Sequence, residues 1–326
     1  MIWGLLLACS EPELPPPPVP PVDVVLNPAD PCALAGPEDG PSVVLLVSMD
    51  TARADGFSVY GTEAADTPVV DALAGCGVRF SWALSHVPTT LNSHTTMLTG
   101  MDPHGHGVVR NGYELSPELP LLQETLGAEG WETIAVVGSM ALEADMGLSR
   151  GFDTYDQAFQ EGAGLPHEDR ADGVTQRALA AVDQRKDPSR PLFLFVHYYD
   201  PHLPWDSAPP EVRARFADPD YQGPISWKRA DSHALQQAFY EGQLTEADLQ
   251  QARQLYRAEL NWTDHQLGVL LEGLDARGLG ANRLTIVTSD HGESIGDWPS
   301  ESVMLSDGKP YYKTPIGHGD DVSTVN

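Results

Sequence analysis

The sequence predicts an α/β fold with a mostly parallel central sheet and helices on both faces. Two patterns carry this expectation. Short runs of consecutive apolar, often β-branched residues recur along the chain, as in Val43-Val44-Leu45-Leu46-Val47. A strand buried on both faces has no polar side, so it reads as such a run rather than as an alternation. Between the runs lie stretches of helical periodicity, and strands alternating with helices assemble a parallel sheet. With 326 residues, 41% of them hydrophobic, the chain can enclose a sizeable core.

The elements follow in order. Val43–Val47 is the first strand. Thr67-Pro68 opens a helix, with Thr67 as its cap and Pro68 in its first turn, running through Leu73 and stopping at Gly77. A helix around Leu121–Ala128 ends at Gly130 and feeds the strand Thr133–Val137. A helix near Thr175–Val182 precedes the strand Leu192–Val196. A long helical stretch, Glu246–Leu274, precedes the strand Leu284–Thr288. Residues 203–242, with their Pro, Trp and Tyr, read as an irregular excursion beside the sheet. No internal repeat is visible.

The beginning of the chain stands apart. Met1–Ala8 is a short apolar run ending at Cys9-Ser10, and residues 10–41 are a Pro-rich linker containing Pro15-Pro16-Pro17-Pro18-Val19-Pro20-Pro21. Such a segment favours extended polyproline geometry and builds no core. An apolar run, a small residue and a cysteine resemble the lipobox of bacterial lipoproteins, in which the cysteine is acylated. Residues 1–9 are therefore read as a signal with lipobox, which implies export and a lipid anchor in the bacterial cell envelope, periplasmic or at the outer surface. The run lacks a basic flank and is short for a signal, so a simple export signal or a misassigned start are the other readings. In an exported protein Cys32 and Cys76 can pair; a buried free thiol at Cys76 is the alternative. No stretch approaches the ~18 apolar residues that span a bilayer.

Charge excludes one class of partner. The chain has 47 acidic and 19 basic residues, a formal net charge of -28. A field of that sign repels nucleic acid and anionic lipid surfaces. An anionic substrate has to be held by local devices: a cation, imidazoles or a helix N-terminus.

In an open parallel sheet, ligands bind beyond the carboxyl ends of the strands. The polar residues there are Asp50-Thr51 after the first strand, His197 and Asp200-Pro201-His202 after Leu192–Val196, and Ser289-Asp290-His291-Gly292-Glu293 after the last. Carboxylates and imidazoles converging on one edge make a site for a divalent cation and a bound oxyanion. Singly, each has a plainer explanation, since an Asp after a strand is often a helix cap. Between them, Pro88–Gly100 is a hydroxyl-rich turn running into a helix. It presents Thr90 where free N–H groups and the helix dipole favour an anion, or, on the other reading, where it merely caps the helix.

Six segments, taken in order, resemble the sulfatase family of the alkaline-phosphatase superfamily: VVLLVSMDTARADGFSVYG (43–61), TLNSHTTMLTGMDPHGHGV (90–108), GFDTYD (151–156), HYYDPHLPW (197–205), TSDHGESIGD (288–297) and GHG (317–319). The resemblance implies an alkaline-phosphatase-like fold over residues 42–326, a catalytic domain that continues past Asn326 in relatives. It further implies a metal-dependent ester hydrolase with one divalent cation, whether Ca, Mg, Mn or Zn. Asp50, Asp290 and His291 match metal ligands, and Thr90 falls at the nucleophile position. His202 and His318 match residues at the substrate oxyanion or leaving group. His94 stands where sulfatases carry an arginine that supports the nucleophile, and with His197 and Lys313 it is assigned to substrate binding.

This chain also departs from the family. Sulfatases oxidise a Cys or Ser in a C/S-x-P-x-R context to formylglycine, and here those places hold Thr90, Asn92 and His94. Threonine cannot become that aldehyde. Thr51 replaces the second of two consecutive ligand aspartates. The set Asp50, Thr90, Asp290 and His291 is instead similar to the single-metal site of phosphoglycerol and phosphoethanolamine transferases, whose nucleophile is threonine. A phosphate or phosphonate ester is therefore the expected substrate. Sulfate-ester hydrolysis without formylglycine and an inactive lipid-anchored binding protein are the alternatives.

Overall fold

The computed structural model describes residues 40–61, 65–159, 169–225, 238 and 243–296, and the backbone of 302–304, 310–312 and 316–317. The expectations for residues 1–39, for Lys313 and for His318 lie outside the described residues.

Five parallel strands form the central sheet in the order β3-β2-β4-β1-β5: β1 Val43–Met49, β2 Glu132–Val137, β3 Thr154–Asp156, β4 Leu192–Tyr198 and β5 Arg283–Ser289. The period of two sends alternate side chains to opposite faces. Leu45, Val47 and Met49 of β1, with Leu192, Leu194 and Val196 of β4, pack on one face under α5 (Ala171–Asp183) and the long helix Glu246–Ala276. Leu46, Phe193 and Phe195 point the other way, under Leu91 and Leu98 of the helix Thr90–Thr99. Continuous apolar runs are what such two-sided burial requires. In chain order the helices are α1 Pro68–Cys76, α2 Thr90–Thr99, α3 Pro103–His106, α4 Leu122–Ala128, α5 Ala171–Asp183, α6 Pro210–Phe216 and α7 Glu246–Ala276. No helix among the described residues is long and apolar enough to cross a membrane.

Four expectations need correction, and one open alternative is decided. Residues 203–242 are not irregular throughout, because Pro209-Pro210 starts α6. β4 runs two residues beyond Val196, so His197 lies inside the strand, paired in register with Ser48. β5 lies at the edge of the sheet, and there Leu284 and Ile286 are exposed. Thr67 does not cap α1; its hydroxyl accepts the Ser58 N–H instead. The α1 N-terminus is capped from far along the chain, where Asp264 on α7 accepts from Val69 N (3.0 Å) and Val70 N (2.8 Å). Cys76, at the end of α1, is half-buried and disulfide-bonded, which replaces the buried free thiol.

Candidate metal and active site

Strand register builds the site. Met49 of β1 stands beside Ser289 of β5, so the next residues, Asp50 and Asp290, leave the sheet side by side. The Asp50 N–H donates to the Tyr198 carbonyl (2.9 Å), which keeps it on the sheet's edge. Thr51 then turns with φ 60°, a left-handed conformation that is rare for a β-branched residue. This turn aims the Thr51 N–H at Asp290 Oδ1 (3.1 Å), and the His291 N–H donates to the same oxygen (2.8 Å). With Oδ1 engaged twice, Oδ2 is left facing inward. It is buried without a hydrogen-bond partner, 3.4 Å from His291 Nε2 and 3.8 Å from His94 Nδ1.

Asp50 faces two histidines, with Oδ1 3.6 Å from His291 Nε2 and Oδ2 3.7 Å from His197 Nε2. Asp50, Asp290, His291, His94 and His197 are all 0% exposed. Burial pushes the His94 and His197 imidazoles down to about 4; the neighbouring His197 charge adds to the effect at His94, and Asp290 opposes it at both. Both rings are therefore neutral at pH 7, the form that ligates a metal.

Two carboxylates buried side by side are expensive unless a cation compensates them. The donor set suits a divalent cation. The ligand atoms of Asp50, Asp290 and His291 lie within 4.8 Å of one another, as do those of His94, His197 and Asp290. Asp290 Oδ2 and both His197 nitrogens have no hydrogen-bond partner. Carboxylate oxygens with imidazole nitrogen accept Mg, Mn, Ca or Zn.

Thr90 is the first residue of α2. Thr89, not Thr90, occupies the N-cap, and its hydroxyl bonds the Asn92 side chain rather than the helix backbone. Thr90 Oγ1 points at Asp50 Oδ2, 3.4 Å away, and the residue is 3% exposed. The helix-cap reading of Thr90 therefore does not hold. α2 is tied down at both ends: Ser93 Oγ donates to the Asp290 carbonyl (2.6 Å), and the helix stops at Gly100, whose φ of 69° suits a residue without Cβ.

His202 stands on the loop after β4, outside the buried cluster. Its ring stacks on Tyr199 at 4.5 Å, and Nδ1 lies 2.5 Å from the Leu203 carbonyl. Several supporting contacts escaped the sequence reading, which passed over Ser48 and Tyr256 and placed Glu293 after the last strand without a role. Ser48 Oγ contacts His94 Nε2 (2.9 Å); its signal is a polar residue in an apolar run. The Tyr256 hydroxyl on α7 donates to the Thr51 carbonyl (2.9 Å) and accepts the Arg53 N–H (2.8 Å), securing the strained turn. Nothing in the helical pattern around Tyr256 singles it out. Glu293, fully buried, accepts the Leu203 N–H (3.1 Å) and links the loop of His202 to the loop of His291.

Residues 42–320 match the sulfatase family profile. The chain belongs to the sulfatase family. Among curated relatives it is 25% identical over 312 residues to an arylsulfatase of Clostridium perfringens, an alignment covering 78% of this chain and 63% of that protein. It is also 25% identical over 277 residues to an ulvan-active sulfatase of Formosa agariphila, covering 78% and 51%. The chain thus spans about half to two thirds of the length of these relatives. Among solved structures it resembles a phosphonate monoester hydrolase of Agrobacterium radiobacter, with TM-score 0.60 and 22% identity, over 83% of this chain and 67% of that one. A protein solved with its substrate D-glucosamine-2-N,6-O-disulfate superposes with TM-score 0.63 at 18% identity, over 85% and 71%. At these identities the structural likeness establishes the fold, which is alkaline-phosphatase-like.

Proposed function

We propose that this sulfatase-family protein is a metal-dependent hydrolase of anionic esters that acts through a covalent Thr90 intermediate, with a phosphate or phosphonate ester as substrate. The placement of the Thr90 hydroxyl, 3.4 Å from Asp50 beside Asp290 and His291, carries the reading. Asp50, Asp290 and His291 would hold one divalent cation, and the Thr90 hydroxyl would complete its shell. When bound, the cation supplies Lewis-acid charge that acidifies the Thr90 hydroxyl and offsets the negative charge developing on the transferred group.

The residues divide the rest of the work. Thr90 Oγ, its proton released to solvent, attacks phosphorus; the Thr90 O–P bond forms and the bond to the alcohol oxygen breaks. That oxygen takes a proton from His202 or His318. Water then attacks the phosphorylated Thr90, the O–P bond breaks, phosphate or phosphonate departs, and Thr90 recovers its proton. His94 supports the nucleophile from behind, its Nδ1 2.7 Å from the Thr90 carbonyl oxygen.

A second reading, sulfate-ester hydrolysis at the same threonine, is favoured by the sulfatase relatives. Mass spectrometry of enzyme quenched during turnover separates the two. A phosphate adduct on the Thr90 peptide supports phosphoryl transfer, and a sulfate adduct supports the sulfatase. Thr90→Ala should lose roughly three or more orders of magnitude in turnover, since the covalent bond to the Thr90 hydroxyl can no longer form. Full activity in Thr90→Ala would refute the covalent mechanism. We also propose that the protein is exported and lipid-anchored through Cys9, a reading supported by the lipobox-like start and by the disulfide at Cys76.

A further inference from the structure

We propose that His94, His197 and Asp290 form a second cation position, so that the buried centre is dinuclear and Asp290 is shared between its two halves. The inference rests on the metal-dependent reading above and extends it. The ligand atoms of these three residues lie within 4.8 Å of one another, and all three are 0% exposed. They form a group separate from Asp50, Asp290 and His291, with Asp290 the common member.

The hydrogen bonding is arranged for it. Asp290 Oδ1 is engaged by two backbone N–H groups, so its only available oxygen, Oδ2, faces His94 on one side and His291 on the other, at 3.8 and 3.4 Å. Asp50 also lies between the halves, with Oδ1 toward His291 and Oδ2 toward His197. Neither nitrogen of His197 has a hydrogen-bond partner, although a buried imidazole ordinarily finds one. His94 is held by Ser48 Oγ at Nε2, the outer contact that fixes a ligating imidazole, and its Nδ1 looks toward Asp290 Oδ2. A cation there would take the place of the Nδ1 proton that His94 now donates to the Thr90 carbonyl (2.7 Å), with the ring proton then carried on Nε2 and donated to Ser48 Oγ. The His94 and His197 rings meet edge to face at 4.8 Å, which leaves their nitrogens converging instead of stacked.

The chemistry of the two positions differs. Asp50, Asp290, His291 and the Thr90 hydroxyl offer three oxygens and one nitrogen, a set suited to hard cations. Two imidazoles and one carboxylate suit a borderline transition dication, with Zn as the natural probe. Three protein ligands leave a position open for a substrate oxygen. Two dications beside the two carboxylates would also give this acidic chain a local positive centre for an anionic ester.

The test counts zinc. The full chain is equilibrated with Zn²⁺, freed of unbound metal, and assayed for zinc per chain by elemental analysis. Wild type should hold two, and His197→Ala and His94→Ala one each. His197→Gln serves as a second variant of similar size, and near-ultraviolet circular dichroism confirms folding. Substitution with Co²⁺ should give a visible absorption that falls to the contribution of one ion when His197 is removed. One zinc in wild type, retained in His197→Ala, overturns the second position and leaves the function proposed above intact. One zinc that is lost in His197→Ala assigns His197 to the first position and also overturns it. No zinc in wild type overturns this proposal and leaves the first position to a hard cation such as Mg or Ca, and two zinc ions in folded His197→Ala overturn it as well.

Discussion

Asp264 offers a stability prediction that can be worked through from the structure. It lies 1% exposed on α7 and accepts the first two free N–H groups of α1 after Pro68. Burial is the main reason its carboxyl is raised from 3.8 to about 6; the two N–H bonds lower it, and the charges of Asp71 and Asp66 raise it further. The sign follows from proton binding. Between 3.8 and about 6 the folded state binds the Asp264 proton more tightly than the unfolded chain does. Stability from this group therefore grows as pH falls through that window and is lost as pH rises through the folded pKa. A two-unit shift corresponds to about 3 kcal/mol in full, of which about 2 kcal/mol is realised between about pH 7.5 and about pH 4.5. Asp264→Asn keeps one of the two acceptors for α1 and cannot titrate. Urea unfolding of both proteins across this range, with chelator throughout so that metal linkage does not contribute, reads the difference directly. Wild type should gain about 2 kcal/mol relative to Asp264→Asn on acidification. A difference that stays flat, or that moves in favour of Asn, would refute the assignment of a buried, proton-favouring cap. Asp264→Ala should cost about 2 kcal/mol near the alkaline end of the range, because two helix N–H groups lose their acceptor, and about 2 kcal/mol more at the acidic end, because alanine titrates no more than asparagine does.

Three further outcomes test the functional reading. Chelation should abolish activity and lower the melting temperature, since a cation bound only by the folded state stabilises it; activity and melting unchanged by EDTA would exclude metal dependence. His202→Ala should slow substrates with poor leaving groups far more than activated aryl esters if it protonates the leaving oxygen, and an equal effect on both would assign that proton to another group. Cys9→Ala should move the protein out of the membrane fraction or block its maturation, whereas an unprocessed cytosolic product with an intact Met1 would contradict the lipid anchor.

The sheet was legible in the sequence because its inner strands are buried on both sides. Leu45, Val47, Leu194 and Val196 face one set of helices while Leu46, Phe193 and Phe195 face the other, and residues 43–47 and 192–196 are apolar throughout. The edges were less legible. β3 is three residues long with none of them fully buried, too short for any periodicity. Strand-end position identified Asp50, Asp290 and His291, because topology alone brings such residues together. It did not identify their supports. Ser48, Tyr256 and Glu293 act through contacts across 46, 205 and 90 residues of sequence, and separation of that kind leaves no local pattern. The same is true of Asp264, which caps a helix 194 residues away. Thr67 stands in the sequence position of a cap, yet the structure uses its hydroxyl for Ser58.

Register is the property on which fold and site depend together. Ser48 pairs with His197 on one side and Thr288 on the other, and Met49 with Tyr198 and Ser289. This alignment alone brings Asp50 beside Asp290 and sets His197 next to the residue that anchors His94. Slipping β5 by one residue against β1 would turn Asp290 to the opposite face and put Ser289 or His291 in its place. Between β1 and β4 such a slip is opposed by burial on both faces, since it would send Leu194 and Phe195 into the wrong helix layers. β5 has no strand beyond it among the described residues, and its Leu284 and Ile286 are exposed. Its register is held at the site end instead, by the Thr51 N–H on Asp290 Oδ1 and by Ser93 Oγ on the Asp290 carbonyl. The contacts that shape the carboxylate–imidazole cluster are therefore also those that align the edge strand. A cation bridging Asp50 and Asp290 would reinforce the same alignment across β1 and β5, so stability gained on metal binding should be concentrated at this edge of the sheet. Amide exchange in β5 should slow on metal addition more than exchange in β2, and equal slowing in both strands would argue against this coupling.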